Sequence, residues 1–368
     1  MIHHSQRKIL TMNKWDNLHI NLDELESHKK PFNIVQSCRS SGKTTLLLKK
    51  IYKVYQKKKQ PSIIIRRRIN DLTESNIIDN MRVINKFAKT PIQFYYKTSD
   101  IKSGIVEVYL NEEDLKKKQN PFIRYLGLSA PMQRLKGGVL PNVRYILFDE
   151  FAINLKEKET YLNGEVSRFM ELYTTYARES ERLTVYFLGN SYSYYSPYHS
   201  FFNIDPCKIK MGGYVITEKC AYYLFKPSEE LKEILKNENK LLGLDSSYDN
   251  YALEGYAVND NNIKIITKQP YAFALNYVFK INDDYIYIYK GNNENFSFWV
   301  DTKKENTTSK PVFTFDLYNV NSGAVIPPSD MYNIFYPLKR ALMCYNVAFT
   351  NITAYYLLET VYNTLPKL

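Results

Sequence analysis

The stretch Phe32-Asn33-Ile34-Val35-Gln36-Ser37-Cys38-Arg39-Ser40-Ser41-Gly42-Lys43-Thr44-Thr45 decides the fold, since it reads as a buried strand, a tight loop and the start of a helix. Such a loop points backbone N–H groups and a helix N-terminus at a phosphate chain. A lysine then reaches the outer phosphates, and a hydroxyl holds Mg²⁺. The sequence therefore predicts a nucleotide-binding loop, whose binding residues would be Ser37, Ser41, Gly42, Lys43, Thr44 and Thr45.

The motif departs from the consensus G-x-x-x-x-G-K-[ST] at its first position, where this chain has Ser37. A glycine there would adopt positive φ freely, whereas serine does so at a cost of roughly 1–2 kcal/mol. We therefore expect the backbone geometry of the loop, rather than its chemistry, to be affected at Ser37.

Composition narrows the possible partners of this 368-residue chain, which is long enough for two domains. Its formal net charge of +12 favours an acidic partner such as nucleic acid, although abundant Lys, Asn, Tyr and Ile also suggest an AT-rich genome. The four cysteines show no C-x-x-C spacing, which argues against a zinc site or disulfide framework. No apolar run approaches the ~18 residues of a membrane span, so we expect a soluble, cytoplasmic protein that does not engage a membrane.

A second motif lies about a hundred residues after the loop. The apolar strand Val143–Phe148 ends in Asp149 and Glu150, two adjacent carboxylates. In nucleotide hydrolysis one acid orders the magnesium shell and another aligns and polarises the attacking water. We assign Asp149, with Thr44, to the metal and Glu150 to catalysis. A further buried strand, Leu183–Leu188, ends at Gly189 and Asn190, and a polar Asn190 side chain there can sense the γ-phosphate.

Hydrophobic periodicity places the other elements of the chain. Pro61–Ile65 delivers Arg66-Arg67-Arg68 to the ligand-binding edge of the sheet, where they reach a ligand or form surface pairs. The remaining predictions are a helix over 70–88, a hairpin of Ile92–Tyr96 with Ile105–Tyr109, a strand over Phe122–Leu128, a basic loop over Gln133–Gly138, a helix over Val166–Tyr176, an aromatic loop over Ser191–His199, a helix over Ser228–Lys240, strands over Tyr271–Ile281, Tyr285–Tyr289, Phe296–Val300 and Val312–Phe315, and a helix over Met331–Leu358.

Several motifs together resemble the DNA-packaging ATPases of phi-29-like bacteriophages, a branch of the large-terminase motors. They are Ser37–Thr44, Pro141-Asn142-Val143 leading into Phe148–Phe151, Asn163–Val166, and Leu188-Gly189-Asn190 with Phe201-Phe202-Asn203. The similarity is strongest over residues 30 to 206. It implies an α/β P-loop fold with an additional strand and a catalytic glutamate, in which a mainly parallel sheet lies between helices.

The resemblance also implies site residues and partners. Arg39 would contact phosphate, Arg178 would be an arginine finger, and Lys136 would act on the neighbouring subunit's nucleotide. The cofactors would be ATP and Mg²⁺. The partners would be double-stranded DNA, the capsid portal and further copies in a homomeric ring of five subunits, and the resemblance leaves open a packaging RNA as a further partner. From its residues alone, Arg178 is equally a surface arginine that pairs with Glu181.

Composition shifts after Pro206, which suggests three domains: an ATPase motor over 1–206, a linker over 207–260 and a C-terminal domain over 261–368. Strands followed by helices suit an RNase H-like fold for the last, which in the phi-29-like branch resembles a vestigial nuclease. Asp301 and Asp316 are too few strand-borne acids to define a two-metal site. Two alternatives to the packaging motor stay open, a terminase with an active nuclease and a non-hydrolysing nucleic-acid-binding protein with a degenerate loop.

Overall fold

The computed structural model describes residues 19–138, 140–153, 160–190, 196–204, 206, 209–238, 263–281, 284–293, 295–303, 305–314, 317–320, 323–327, 335–343 and 346–364. The chain divides into two compact units. The first comprises residues 1–152, 168–191 and 210–256, and the second comprises residues 153–167, 192–209 and 257–368.

An eight-stranded sheet forms the centre of the first unit, in the order β3-β4-β2-β5-β6-β1-β8-β7. Six neighbouring strands run parallel, and β3 and β7 pair antiparallel at the two edges. Central parallel strands are buried on both faces, which explains their continuous apolar runs. The strands are β1 (Phe32–Ser37), β2 (Ser62–Arg66), β3 (Ile105–Val108), β4 (Ile123–Gly127), β5 (Tyr145–Asp149), β6 (Thr184–Asn190), β7 (Tyr214–Ile216) and β8 (Cys220–Leu224).

Helices flank this sheet, as predicted. The described helices up to residue 238 are α1 (Leu22–Ser27), α2 (Lys43–Lys58), α3 (Glu74–Asn85), α4 (Glu112–Lys117), α5 (Met132–Lys136), α6 (Glu165–Ala177), α7 (Pro197–Phe201, in the second unit) and α8 (Glu229–Glu238), with short 3₁₀ turns at Ile69–Asp71 and Thr98–Ser103. Helix α2 packs Leu47, Leu48 and Ile51 into the core of the first unit. That packing fixes the start of α2 beside the end of β1.

The first unit differs from the predicted elements at three places. The hairpin of Ile92–Tyr96 with Ile105–Tyr109 is reduced to one antiparallel bridge, because β3 pairs with β4 instead. Gln133–Lys136, predicted as loop, lies in the short helix α5. Strands β7 and β8, within the predicted linker, extend the first sheet beyond β1. The domain boundaries at 206 and 260 stay a prediction, and residues 239–262 and 191–195 lie outside the described residues.

The second unit contains a six-stranded sheet in the order β13-β10-β11-β12-β14-β9. Side chains along β11 alternate between two clusters: Ile286 and Ile288 face one, whereas Tyr287 and Tyr289 face the other. The elements are β9 (Lys264–Ile265), β10 (Ala274–Ile281), β11 (Asp284–Asn293), β12 (Phe296–Lys303), β13 (Val312–Phe313), β14 (Val347–Phe349) and helices α9 (Leu317–Val320), α10 (Tyr336–Met343) and α11 (Ile352–Thr364).

The four predicted strands of this unit are confirmed, but the predicted helix over Met331–Leu358 is not continuous. Strand β14 separates α10 from α11, because Val347–Phe349 pair in parallel with β12. Asp301 accepts hydrogen bonds from Thr350 Oγ1 at 2.7 Å and from the backbone N–H of Thr302 at 2.9 Å, while Asp316 lies outside the described residues. The RNase H-like assignment of this unit stays a prediction.

No group of three or more His, Cys, Asp or Glu side chains in the described residues could hold a metal ion. None of the helices in the described ranges is long and apolar enough to cross a membrane.

Candidate nucleotide site

A loop with two residues at positive φ joins β1 to α2. Ser40 has φ +56° and Gly42 has φ +82°, and Gly42 is the residue directly before the helix. A Cβ atom at Gly42 would lie 2.7 Å from Cδ2 of His19, so the position excludes any side chain. The loop thus closes tightly and leaves the first N–H groups of the 16-residue helix α2 at the carboxyl edge of the sheet.

Ser37 does not strain the loop, contrary to our expectation. It is the last residue of β1, in register with Asn190 on β6, and is not among the residues with positive φ. Its hydroxyl group donates to the carbonyl oxygen of Cys38 at 2.9 Å and accepts from Lys43 Nζ at 2.6 Å. The turn is made by Ser40 and Gly42, so a serine at position 37 needs no left-handed backbone.

The Lys43 ammonium group is buried within the loop. Besides Ser37 it donates to Cys38 O at 3.1 Å, to Ser41 Oγ at 3.3 Å and to Asn190 Oδ1 at 3.1 Å. Burial lowers the pKa of Lys43 to about 8, and the nearby carboxylates oppose this only in part. The lysine is therefore held by neutral oxygens at a site suited to a stronger, anionic acceptor.

Thr44 and Asp149 form the predicted metal pair. Thr44 Oγ1 donates to Asp149 Oδ1 at 3.2 Å, which joins the first turn of α2 to the end of β5. Asp149 is buried, and its second carboxylate oxygen pairs with Arg66 at 3.1 Å. A hydroxyl and a carboxylate oxygen side by side are hard donors that suit Mg²⁺.

Glu150 directly follows β5 in the left-handed backbone region, with φ +58°. Its side chain is 63% exposed, and its carboxylate accepts from Arg66 Nη1 at 2.6 Å. A non-glycine residue at positive φ is strained, and such strain is common at functional sites. Glu150 therefore departs from the direction of β5 and lies at the nucleotide site.

The role of the arginines after β2 was open in the sequence and is defined by the strand order. Because β2 lies beside β5, Arg66 contacts both carboxylates of the acidic pair. Arg67 is buried and donates to the backbone oxygens of Glu150 at 3.2 Å and of Phe151 at 2.5 Å. The sequence placed Arg66 at the ligand-binding edge but left its partners open, and the structure shows them to be Asp149 and Glu150.

One cleft lies at the carboxyl ends of the parallel strands, where α/β sheets bind ligands. The structure brings together most of the predicted site residues there, including Thr45 and Asn190. The lining residues are Ser40, Ser41, Gly42, Lys43, Thr44, Thr45, Asp149, Glu150, Leu188, Gly189 and Asn190.

Three residues assigned by resemblance do not line this cleft. Arg39 is exposed on the loop next to it. Lys136, at the end of α5, forms an ion pair with Glu171 of α6. Arg178 is exposed and directly follows α6. The backbone oxygen of its neighbour Glu179 accepts a hydrogen bond from the backbone N–H of Asn142, close to the start of β5. Arg178 thus lies toward the amino ends of the strands, one strand length of about 20 Å from its own chain's cleft.

The comparisons with known proteins agree with this architecture. The chain is 32% identical over 137 residues to the DNA packaging proteins of Bacillus phages PZA and phi29, a stretch that covers 33% of this chain and 41% of each relative. It resembles "The Phi-28 gp11 DNA packaging Motor" with a TM-score of 0.64 at 15% identity, covering 95% of this chain and 98% of that one. It also resembles the bacteriophage Phi-29 viral genome packaging motor assembly, with a TM-score of 0.60 at 19% identity over 95% and 100% of the two chains.

The fold and the cleft define the class: the first unit is a P-loop NTPase unit with a mainly parallel sheet and an acidic pair after β5. A sequence model of the Podovirus DNA encapsidation protein (Gp16) family matches residues 12–354. The chain belongs to that family. The two structural likenesses, at under 25% identity, show the fold.

Proposed function

We propose that this chain is the ATP-hydrolysing subunit of a viral DNA-packaging motor. The observation that carries the proposal is the cleft, in which Lys43, the Thr44–Asp149 pair and Glu150 meet at one end of the sheet. Each group has a separate task in phosphoryl transfer, and all of them are present together. An inert, degenerate loop would not need the acidic residue at position 150.

The residues fit ATP with Mg²⁺. Gly42 supplies the positive φ that lets the loop turn into α2, and the N-terminus of α2 favours the negative charge of a phosphate chain. Lys43 would exchange neutral oxygens for phosphate oxygens, while Thr44 and Asp149 would hold the cation. When bound, Mg²⁺ supplies charge neutralisation to the phosphates.

Glu150 is proposed to orient and polarise the attacking water. Its carboxylate is exposed to the cleft rather than buried, which leaves it within reach of a water molecule. Arg66 holds that carboxylate at 2.6 Å and Asp149 at 3.1 Å, so it fixes the separation of the two acids. Asn190, which accepts a hydrogen bond from Lys43 at 3.1 Å, would sense the outermost phosphate.

The remaining positive groups are proposed to act between subunits. Arg178 cannot reach the cleft of its own chain, so an arginine-finger role requires the cleft of a neighbour. Glu181, its alternative partner, forms no ion pair with Arg178 among the described residues. Both residues lie in the range 160–190, which the structure describes in full. Lys136 would reach the same neighbouring nucleotide, and Arg39 would contact phosphate at the loop.

The partners follow from family membership and charge. We propose that the chain assembles as a ring of five copies, docks on the portal of a procapsid in the host cytoplasm, and moves double-stranded DNA through the ring; a packaging RNA would be a further partner. The net charge of +12 suits a polyanionic track. The relatives supporting this are themselves packaging proteins, and the matched stretch covers 41% of their length.

The direct test combines the purified chain with procapsids and genomic DNA. We expect ATP hydrolysis to rise on addition of DNA, and DNA to become protected from nuclease inside the procapsid only when ATP is present. The matched control is Lys43→Met, which keeps the fold but removes the ammonium group from the cleft. Protection of DNA without nucleotide, or equal protection with Lys43→Met, would contradict the proposal.

A further inference from the structure

Helix α6 is tied to the segment 128–138 at three points along its length. At one end, Arg168 Nη2 donates to Ala130 O at 2.7 Å and to Leu128 O at 3.0 Å. In the middle, Glu171 pairs with Lys136. At the other end, the Tyr176 hydroxyl group lies 3.4 Å from Leu135 O. The short helix α5 is therefore attached along α6 rather than free to move by itself.

Arg124 of β4 contacts the last of these three points, the Tyr176 hydroxyl group. Its Nη1 donates to Tyr176 Oη at 2.9 Å and to Gly138 O at 2.6 Å. Its Nε donates to Oε1 of Glu107, its partner across the antiparallel β3–β4 pair, at 2.9 Å. Arg124 is only 6% exposed, so its guanidinium is a fixed fork between the sheet, the end of α5 and the end of α6.

The two segments that Arg124 joins include Lys136 and Arg178, the residues proposed to act on the nucleotide of the neighbouring subunit. Gly138 lies two residues after Lys136, and Tyr176 lies two residues before Arg178. Glu171, the partner of Lys136, lies six residues before Ala177, the last residue of α6, and Arg178 follows Ala177 directly. One buried hydrogen-bonded node therefore joins the segment that contains Lys136 to the segment that leads to Arg178.

We propose that Arg124 and the Tyr176 hydroxyl group are positioning residues, which fix Lys136 and Arg178 as one rigid unit for action on the nucleotide of the adjacent subunit. The inference rests on the proposed function, since it concerns the same hydrolysis reaction. Neither residue touches the nucleotide cleft of its own chain. Loss of the node should therefore leave a subunit's own cleft intact and impair the neighbour's.

The test uses two variants of the full chain under ring-forming conditions. Tyr176→Phe removes one hydroxyl group, and Arg124→Lys keeps the charge opposite Glu107 but loses the fork. Misplacement of a catalytic group by about 1 Å costs about 10²-fold in rate. We expect turnover to fall about tenfold in Tyr176→Phe and about 10²-fold in Arg124→Lys, with ATP affinity unchanged within about twofold.

Mixed rings separate a positioning role from a merely structural one. Glu150→Gln subunits have an inactive cleft but an intact α5–α6 face, so in equal mixtures turnover per Tyr176→Phe subunit should rise several-fold over its homomer. The control is Tyr186→Phe, which loses a buried hydroxyl group bonded to Glu26 at 2.9 Å in another part of the core and should keep normal turnover.

The outcomes are distinct. Normal turnover of homomeric Tyr176→Phe, or no rise per subunit in the mixture, would overturn the positioning role. A Tyr176→Phe defect matched by Tyr186→Phe would overturn it too, because the loss would then be one of general stability. Normal turnover of homomeric Glu150→Gln would instead refute the proposed function itself.

Discussion

Ser37 and Asn190 face each other across the parallel strands β1 and β6, and both accept a hydrogen bond from Lys43 Nζ, at 2.6 and 3.1 Å. The ammonium group is thereby held by two strand ends and by the loop between them. This arrangement places the lysine before any nucleotide arrives, and it surrounds the lysine with acceptors that carry no charge.

The protonation state of Lys43 should respond to nucleotide. Burial lowers its pKa to about 8, whereas the unfolded chain keeps a value near 10.5. Between those values the unfolded state binds more protons, so this group makes the free energy of unfolding rise with pH over that window. A polyphosphate favours the charged form, so binding above pH 8 should take up a proton and weaken as pH rises.

Calorimetry at pH 8.5 in two buffers of different ionisation enthalpy measures that uptake. The apparent binding enthalpy should depend on the buffer for the unsubstituted chain and lose that dependence in Lys43→Met. An enthalpy that is the same in both buffers for the unsubstituted chain would show that Lys43 does not change its protonation.

Ser37→Gly restores the consensus glycine and tests whether the serine strains the loop. Because Ser37 is extended and Ser40 and Gly42 make the turn, Ser37→Gly should keep nucleotide affinity within about threefold. It should lower the free energy of unfolding by about 1–2 kcal/mol, through the lost hydroxyl contacts and the flexible glycine within a strand. Ser37→Ala, which loses only the hydroxyl group, is the control for chemical unfolding. A tenfold gain in affinity with glycine would mean that Ser37 does strain the loop.

The sequence was sufficient for features that depend on local pattern. The parallel strands are continuous apolar runs, and the site residues at their ends follow from those runs. Lys43, Thr44, Asp149 and Glu150 could therefore be placed together before the structure. Strand β14 was missed because three residues within an amphipathic pattern carry too little signal against helical periodicity.

Features that depend on which strands are neighbours could not be predicted. Arg66 reaches Asp149 and Glu150 only because β2 lies beside β5, and nothing in the local sequence states that order. In the same way, Glu107 contacts Arg124 only because β3 pairs with β4 rather than with the nearer segment Ile92–Tyr96. Both contacts follow from the strand order.

Binding of DNA should be governed by phosphate contacts. A motor must accept any sequence, so we expect affinity to fall steeply with salt, by about 0.9 log units per log unit of salt for each phosphate neutralised. Two duplexes of equal length and different sequence should bind alike when titrated across a salt series. A salt-insensitive complex that prefers one duplex would count against translocation.

Arg178 should act on the cleft of the adjacent subunit. Homomeric Arg178→Ala should bind ATP normally but lose about 10³–10⁵ in turnover, and should regain hydrolysis at its own clefts when mixed with Glu150→Gln subunits. Arg182→Ala, four residues further on and also exposed, is the matched control and should hydrolyse ATP normally. Full activity of homomeric Arg178→Ala in assembled rings would disprove the assignment.

The most direct test of the account is a measurement of ATP binding and ATP turnover on the same preparations of the unsubstituted chain, Glu150→Gln and Glu233→Gln. Glu150 acts on water rather than on the triphosphate, so its variant should bind ATP with unchanged affinity. Its turnover should fall by about 10²–10⁴-fold, whereas Glu233→Gln, an exposed change on α8, should match the unsubstituted chain. Turnover of Glu150→Gln equal to that of the unsubstituted chain would contradict the hydrolytic role of this cleft.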